Sequence, residues 1–220
     1  METGILETGV TDLETVLIFT GGDTPPQTVL EELPRPDLVV AADSGYDAAI
    51  ALGFKIDALV GDLDSIRATE IPSHVIVEKH PTNKDATDLE LALQLSIRDT
   101  PARIVVVAGS GGRLDHELAT ALLLCSPRWK GVDELDWVNA RGRSHVIHRR
   151  RLLHGDIGAT LSLIAVGGDA LGVQTSGLRW DLDNETLHQG ATRGVSNVMQ
   201  SPIAEIGLEA GCLLAVFPAF

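Results

Sequence analysis

Short apolar runs alternate with polar, turn-rich segments from residue 16 to about residue 139. Runs rich in Val, Ile and Leu predict buried strands at 16–19, 38–42, 58–60, 75–77, 104–108 and 136–139. Helices are predicted at 46–52, 87–97 and 115–125. Strand–helix alternation of this kind indicates a mostly parallel α/β sheet.

The clearest helix signal lies at residues 87–97. Thr87 and Glu90 have the spacing of a capping box, in which the two side chains satisfy free backbone N–H groups at a helix start. Leu89, Ala92 and Leu93 then form an apolar stripe on one face. We therefore expect a helix that begins at Thr87.

The pattern changes after about residue 141, where helical periodicity ends. Arg141, Arg143 and residues 149–151 form a basic patch at this point, and short β-like runs follow at 160–166, 171–174 and 212–217. Such runs, separated by glycines, predict a small antiparallel β domain. The predicted organisation is a polar tail at 1–14, an α/β domain at 15–141 and a β domain at 142–220.

Composition narrows the function classes. The chain has 220 residues and a formal net charge of −14, which disfavours nucleic acid and anionic membranes as partners, since both reward basic patches. No apolar stretch reaches membrane-spanning length. Cys125 and Cys212 form no CxxC motif or disulfide framework, which favours a cytoplasmic location.

The most informative segment carries Asp62 and Asp64, directly after an apolar run and a glycine. On an extended chain, side chains two residues apart point the same way. Two carboxylates at one spot are costly unless a positive charge lies between them. Mg²⁺ is the natural candidate, because its sites use a few carboxylates together with substrate phosphates.

Other acidic residues also follow predicted strands or begin predicted helices, namely Asp43, Asp85, Asp88 and Asp115. Ligands of open α/β sheets bind beyond the carboxyl ends of the strands, so several loops are expected to build one acidic metal site. Any single Asp here is equally explained as a turn or capping residue. Capping does not require the Asp62–Asp64 pair.

A glycine-rich turn at 109–115 joins a predicted strand to a predicted helix. Free N–H groups of Gly111 and Gly112 could hold phosphate, and Arg113 is a planar donor for phosphate oxygens. The segment matches neither a Walker A loop nor GxGxxG, and a tight turn explains it as well. His116 at the helix start is a catalytic candidate or a structural residue.

In the β domain, Trp180 by itself is expected in the core, and Ser196 and Asn197 in turns.

Taken together, these segments resemble the thiamin pyrophosphokinase family. The matching stretches are Ala42-Asp-Ser-Gly45, Gly61-Asp-Leu-Asp-Ser65, Lys84-Asp-Ala-Thr-Asp88, Gly112-Arg-Leu-Asp-His116, Gly177-Leu-Arg-Trp-Asp-Leu182 and Ser196-Asn197. They occur in the family's order and spacing, from about residue 16 to the end of the chain. Residues 80–83, ahead of Lys84, form a slightly longer segment than usual, and the polar tail lies outside the resemblance.

The resemblance implies a Rossmann-like α/β catalytic domain followed by a thiamine-binding β-sandwich. It implies transfer of a pyrophosphoryl group from ATP to the hydroxyl of thiamine, giving AMP and thiamine diphosphate. It also implies Mg²⁺ as cofactor and a homodimer with sites where the subunits meet.

Site residues follow from the same resemblance. The expected catalytic residues are Asp62, Asp64, Asp88, Arg113 and Asp115. The expected nucleotide-binding residues are Asp43, Ser44, Gly45, Ser65, Lys84, Asp85, Gly111, Gly112 and His116. The expected metal ligands are Asp43, Asp62, Asp64 and Asp88, and the expected thiamine-binding residues are Trp180, Ser196 and Asn197.

Two alternatives share these motifs. One is a pyrophosphokinase or phosphohydrolase that acts on another heterocyclic alcohol, because the catalytic half is better marked than the substrate half. The other is a non-catalytic thiamine or nucleotide sensor, although binding alone would not require so many carboxylates. The sequence leaves open the proton acceptor, the number of metal ions, the preferred nucleotide and the role of the tail.

Overall fold

The computed structural model of the protein describes residues 14–68 and 70–218. The predicted tail at 1–14 therefore lies outside the described residues, apart from Glu14. The chain divides into two compact units, of which the first runs to Glu117 and includes Val138–Ala140. The second contains Leu118–Trp137 and the chain from Arg141 onward. The domain boundary at 141/142 stays a prediction.

Among the described residues, the first unit holds five whole parallel strands and three whole α-helices. Its strands are β1 (Thr15–Phe19), β2 (Leu38–Ala42), β3 (Ala58–Gly61), β4 (Ile76–Lys79) and β5 (Arg103–Val107). Its helices are α1 (Gln27–Leu30), α2 (Gly45–Ala51) and α3 (Asp88–Ser96). The order across the sheet is β5–β1–β2–β3–β4, and every neighbouring pair is parallel.

Apolar runs explain this sheet. Every residue of β1, β2 and β3 is buried, as is typical of parallel strands covered on both faces. One face packs around Leu17, Val39, Leu59 and Val105. The loops after β1 and β5 lie at the point where the strand order reverses, which is where ligands of open α/β sheets bind.

Helix α4 (Leu114–Leu124) and strand β6 (Glu134–Asn139) contain residues of both units. The remaining strands are β7 (Gly142–Ile147), β8 (Arg150–His154), β9 (Thr160–Ala165), β10 (Ala170–Ser176), β11 (Glu185–Leu187), β12 (Asn197–Val198), β13 (Ile203–Gly207) and β14 (Leu213–Pro218). Within the second unit they pair in the orders β12–β9–β14–β7 and β11–β10–β13–β8. The pairs that define these orders are antiparallel.

Alternating burial builds the core of the second unit. In β9 the side chains of Leu161, Leu163 and Ala165 are buried while their neighbours are half-buried or exposed. They pack with residues of the other strands, including Val173 and Ile206. The predictions of a mostly parallel sheet and a separate antiparallel β region are confirmed.

The prediction that Arg151 belongs to a basic patch is wrong, because its side chain is buried. Arg150 and Arg151 begin β8, and the side chain of Arg151 is only 6% exposed. Its guanidinium lies 2.7 Å from Oδ1 of buried Asp136, which His145 Nδ1 also contacts at 2.7 Å. A buried charge must be paired, and the partner here is too distant in sequence to read from a local run of arginines.

None of the helices within residues 14–68 and 70–218 is long and apolar enough to span a membrane.

Candidate active site

The acidic residues lie where parallel strands end. Asp43 directly follows β2, and Asp62 follows Gly61, the last residue of β3. Asp43 and Leu63 have left-handed backbones, with φ of 47° and 69°. Non-glycine residues in this region carry strain of about 1–3 kcal/mol and cluster at functional sites.

Asp62 and Asp64 converge in a turn rather than along an extended strand. The backbone N–H of Asp64 donates to Asp62 Oδ1 over 3.3 Å. Because Leu63 between them has a left-handed backbone, the two residues do not have the extended strand geometry that the sequence predicted. The expected convergence is therefore produced by a local reversal of the chain after β3.

Three carboxylates form one cluster. Ligand oxygens of Asp43, Asp62 and Asp64 lie within 4.8 Å of one another. The Ser65 hydroxyl donates to Asp43 Oδ2, whereas Asp43 Oδ1 is buried with no hydrogen-bond partner among the described residues. A buried carboxylate oxygen without a donor is costly, and an all-oxygen set with such an atom fits a hard divalent cation.

The pKa values of Asp62 and Asp64 shift in opposite directions. The backbone N–H of Asp64 is the main cause that lowers the pKa of Asp62. The Thr82 hydroxyl and Lys84 lower it further. The charge of Asp62, with smaller contributions that include burial and Asp43, raises the pKa of Asp64. Like charges held together have this effect, and a bound cation would relieve it.

Lys84 forms an ion pair with Asp88, the fourth carboxylate near the cluster. Its Nζ lies 2.9 Å from Asp88 Oδ1 and 3.9 Å from Asp62 Oδ2, with only 13% of the Lys84 side chain exposed. Burial opposes the charged form, but the bond to Asp88 and the surrounding carboxylates give a net rise in the pKa of Lys84. Asp88 therefore adjoins the cluster through this ammonium rather than as a member of the three-carboxylate group.

The β2–α2 loop brings Ser44 and Gly45 beside the end of β1. A Cβ on Gly45 would lie 2.2 Å from the Phe19 carbonyl oxygen, so only glycine allows this approach. The Ser44 hydroxyl packs against Gly21 of the loop after β1.

The glycine-rich turn after β5 meets the loop after β1. Gly111 and Gly112 have φ of 78° and 85°, which glycine adopts freely. The N–H of Asp23 donates to the Ser110 carbonyl over 2.7 Å, and the Asp23 carboxylate fills the space that a Cβ on Gly111 would need.

Sequence reasoning assigned Asp23 and Thr82 no role. The pair Gly21-Gly22, which closely follows β1, is the local signal that could have located Asp23. Thr82, which hydrogen-bonds the Asp62 side chain, lies in the unusual segment ahead of Lys84. Nothing in local composition distinguishes it.

Arg113, Asp115 and His116 lie at the start of α4, and all three are exposed. Arg113 Nη2 lies 2.5 Å from Asp115 Oδ2. This hydrogen bond, the largest contribution, lowers the pKa of Asp115 and raises that of Arg113. Asp85, near the start of α3, is exposed as well.

Trp180 is 54% exposed, so the expectation that it lies in the core is wrong. Buried Asn197 fixes its backbone: Asn197 Oδ1 accepts from Trp180 N–H over 3.1 Å, and Asn197 Nδ2 donates to Trp180 O over 2.8 Å. The Arg179 guanidinium lies 4.9 Å from the ring centre. Ser196 has a left-handed φ of 61°, and its N–H donates to the Ser162 hydroxyl over 3.0 Å.

Comparison with known proteins places this geometry in one family. Residues 30–133 match the thiamin pyrophosphokinase catalytic domain, and residues 144–213 match the thiamin pyrophosphokinase vitamin B1 binding domain. Together the two matches cover most of the chain.

Individual proteins similar to this chain belong to the same family. Thiamine pyrophosphokinase 1 of Oryza sativa subsp. japonica is 27% identical over 190 residues, covering 78% of this chain and 68% of the relative. Thiamine pyrophosphokinase of Bacillus subtilis (strain 168) is 25% identical over 219 residues, covering 93% of this chain and 98% of the relative. A crystal structure of thiamine pyrophosphokinase from Bacillus subtilis has the same fold, with a TM-score of 0.80 at 22% identity over 94% of this chain and 100% of that chain.

Both halves of the chain carry a domain of phosphoryl-transfer enzymes that act on a vitamin substrate. The chain belongs to the thiamin pyrophosphokinase family. The predicted family, fold class and enzyme class, thiamine diphosphokinase, are thereby confirmed, and neither alternative function is favoured.

Proposed function

We propose that the protein transfers the pyrophosphoryl group of ATP to thiamine through the residues described above. The hydroxyethyl oxygen of thiamine bonds to the β-phosphorus, the bond between that phosphorus and the oxygen bridging to the α-phosphate breaks, and AMP leaves. The observation that carries the proposal is the cluster of Asp43, Asp62 and Asp64 beside the ammonium of Lys84. The hydroxyl proton passes to a carboxylate or to solvent.

The three clustered carboxylates are the proposed Mg²⁺ ligands, and Asp88 supports them through Lys84. The donor set is all oxygen, and the unpaired Oδ1 of Asp43 is the atom that a cation would satisfy. Bound Mg²⁺ supplies neutralisation of phosphate charge, which dominates catalysis of phosphoryl transfer.

Two cations of the chain supply further positive charge. Lys84 is paired with Asp88, and its ammonium lies near the cluster. Arg113 presents a planar donor set at the start of α4, suited to phosphate oxygens. Positioned cations of this kind stabilise charge that develops during transfer.

For nucleotide binding we propose the loops after β2, β3 and β5, with Ser44, Gly45, Ser65, Gly111 and Gly112 as close-approach positions. Asp43, Lys84, Asp85 and His116 complete the proposed nucleotide-binding set, whereas Asp115 is proposed as a catalytic residue. Glycines at these turns let the backbone approach phosphate, as Gly45 lets it approach Phe19.

For thiamine we propose a platform built on Trp180. The indole is exposed, and Asn197 holds its backbone from both sides. An aromatic face attracts a cationic ring by about 0.5–2 kcal/mol, and thiamine carries such a ring. Ser196, beside Asn197, completes this proposed site.

A product assay tests the reaction. With ATP, Mg²⁺ and thiamine, we expect AMP to form in step with thiamine diphosphate. Asp62→Asn and Asp64→Asn should abolish both products, whereas Asp183→Asn, a change at an exposed aspartate of the second unit, should not. ADP as the sole nucleotide product, or product formation with another ring alcohol but not with thiamine, would contradict the proposal.

We also propose a cytoplasmic homodimer with sites where the subunits meet. The reducing location is proposed from cysteine usage, because Cys125 and Cys212 form neither a CxxC motif nor a disulfide framework.

A further inference from the structure

Two cysteines and a histidine meet within the second unit, and none of them belongs to the residues proposed for catalysis or binding. Cys125 directly follows α4, His148 directly follows β7, and Cys212 directly precedes β14. Each cysteine is a free thiol and only 4% exposed. The two side chains form a hydrogen bond with each other. The fold therefore brings together the only two cysteines of the chain, which are far apart in sequence.

His148 lies beside this pair with an unsatisfied ring. Its Nδ1 and Nε2 are both buried and have no close hydrogen-bond partner among the described residues. The ring adjoins the Cys212 sulfur closely enough to lower the pKa of that thiol. A buried polar group without a partner requires an explanation, and a redox role is one of the few. A thiolate on Cys212 would supply the acceptor that the imidazole lacks.

The two thiols differ in acidity. The hydrogen bond with Cys125 is the largest cause that lowers the pKa of Cys212 to about 6, and His148 lowers it further, although burial raises it. The same hydrogen bond, followed by burial and the charge of Cys212, raises the pKa of Cys125. The Cys212 thiol can also donate to the Leu213 carbonyl, but over 3.9 Å this contact holds the proton weakly. Cys212 is therefore the group that loses its proton first, and Cys125 is the thiol that donates to it.

A thiolate in contact with a second thiol is the arrangement that oxidation converts to a disulfide. The thiolate is the nucleophilic form of cysteine, and a neighbouring thiol resolves the sulfenic acid that a peroxide produces. Because both sulfurs are buried, the oxidant must be small, and hydrogen peroxide meets that requirement. In a reducing compartment such a disulfide is transient and serves redox sensing rather than structure.

We propose that Cys125 and Cys212, with His148 beside them, form a peroxide-sensitive pair that closes reversibly to a disulfide. The Cys212 thiolate attacks one oxygen of hydrogen peroxide, the O–O bond breaks, and hydroxide leaves, so that Cys212 becomes a sulfenic acid. The Cys125 sulfur then attacks that sulfur, and the Cys125 proton leaves with the sulfenic hydroxyl as water. The two cysteines lose two electrons together, and the peroxide is reduced to water and hydroxide. A thiol reductant restores both thiols by exchange.

Thiol counting and peptide mapping of the full chain test this proposal. Reduced wild-type protein is freed of reductant, treated with one molar equivalent of hydrogen peroxide at neutral pH, and alkylated under denaturing conditions. We expect both thiols to be lost and the mass of the unalkylated chain to fall by two hydrogen atoms. A digest without reductant should contain one pair of peptides joined through Cys125 and Cys212. Dithiothreitol should then restore both thiols.

The matched serine variants test which sulfur attacks. Cys125→Ser removes the resolving thiol, so peroxide should leave a sulfenic acid on Cys212 that dimedone traps. Cys212→Ser leaves the less acidic thiol, and the same exposure should give far less trapped sulfenic acid. His148→Gln keeps both cysteines and should slow disulfide formation. Circular dichroism of the three variants checks that each is folded.

Several outcomes overturn the proposal. Two intact thiols in wild-type protein after treatment would do so, as would a disulfide that forms only between separate chains. Zinc that must be removed with a chelator before the thiols react would also overturn it, because the three residues would then be metal ligands. Equal trapping in both serine variants overturns the assignment of Cys212 as the attacking thiolate, and an unchanged rate in His148→Gln overturns the role of His148. None of these measurements uses AMP formation, so failure of the proposed reaction would leave them unaffected.

Discussion

Asp64 carries a negative charge that the fold holds next to two others. The charge of Asp62 is the main reason why the pKa of Asp64 is raised above its ordinary 3.8. A carboxyl whose pKa is higher in the folded state than in the unfolded state binds its proton more tightly when folded. Its contribution to stability is present at low pH and is lost as the pH rises through the folded pKa.

We therefore predict that Asp64→Asn stabilises the metal-free protein at neutral pH. In urea unfolding with chelator, the variant should unfold at higher urea than wild type at about pH 7, and the difference should shrink toward about pH 4. Added Mg²⁺ should stabilise wild type more than the variant. Asp183→Asn serves as the control outside the cluster. An Asp64→Asn variant less stable than wild type at neutral pH without metal would show that the repulsion is not significant.

The residue scale also shows which site features could be predicted. Asp43, Asp62 and Asp64 each follow an apolar run, so their shared edge of the sheet was predictable. The pairing of Asp88 with Lys84 was not, because it depends on side-chain geometry at the start of α3. The exposure of Trp180 was missed because base rates for tryptophan favour the core.

At the scale of elements, α3 depends on the cap that its sequence predicts. Thr87 Oγ1 accepts from the Glu90 N–H over 3.2 Å, which confirms Thr87 as N-cap. We predict that Thr87→Ala lowers the free energy of unfolding by about 1 kcal/mol, measured by urea titration. Thr87→Ser keeps the acceptor and should stay near wild type. Equal losses in both variants would mean that the methyl group, not the cap, is important.

The start of α2 is fixed by contact with β1. An alanine Cβ at position 45 would lie 2.2 Å from the Phe19 carbonyl oxygen, so the loop that carries Asp43 must shift. We predict that Gly45→Ala costs about 1–3 kcal/mol, as overpacking does, and lowers turnover. Melting temperature and AMP formation measure the two effects.

Gly131 provides the matched control for that change. A Cβ at position 131 would meet no atom within 4 Å, and Gly131 has no positive φ. Gly131→Ala should therefore leave both turnover and melting temperature close to wild type. Turnover that is unchanged in Gly45→Ala would contradict a role for this contact in the site.

Element prediction was most reliable where burial is continuous, although the exposed β4 and the alternating β9 were also predicted. The runs that became β1, β2, β3 and β5 were found because each is almost entirely buried. Strand β8 was missed, because its exposed arginine and histidine ends hide an alternation of buried Arg151 and Leu153.

At the scale of the whole molecule, each unit has its own apolar core. The two-part organisation was predictable from the change of periodicity near residue 141. The grouping of residues 118–137 with the second unit was not, since it depends on tertiary packing. The family could be predicted because motifs in a fixed order constrain a sequence more strongly than any one of them does.

The net negative charge of the chain should favour the encounter with a cationic substrate. The chain carries −14, and thiamine is a cation, so the field of the protein should raise the rate of productive encounter. Screening shortens to about 8 Å at 0.15 M salt, so kcat/KM for thiamine should fall by up to about tenfold as NaCl rises from low concentration. Initial rates at saturating MgATP measure this, and a thiamine analogue with an uncharged ring in place of thiazolium is the control. An equal fall for both substrates would assign the salt effect to nucleotide binding or the fold instead.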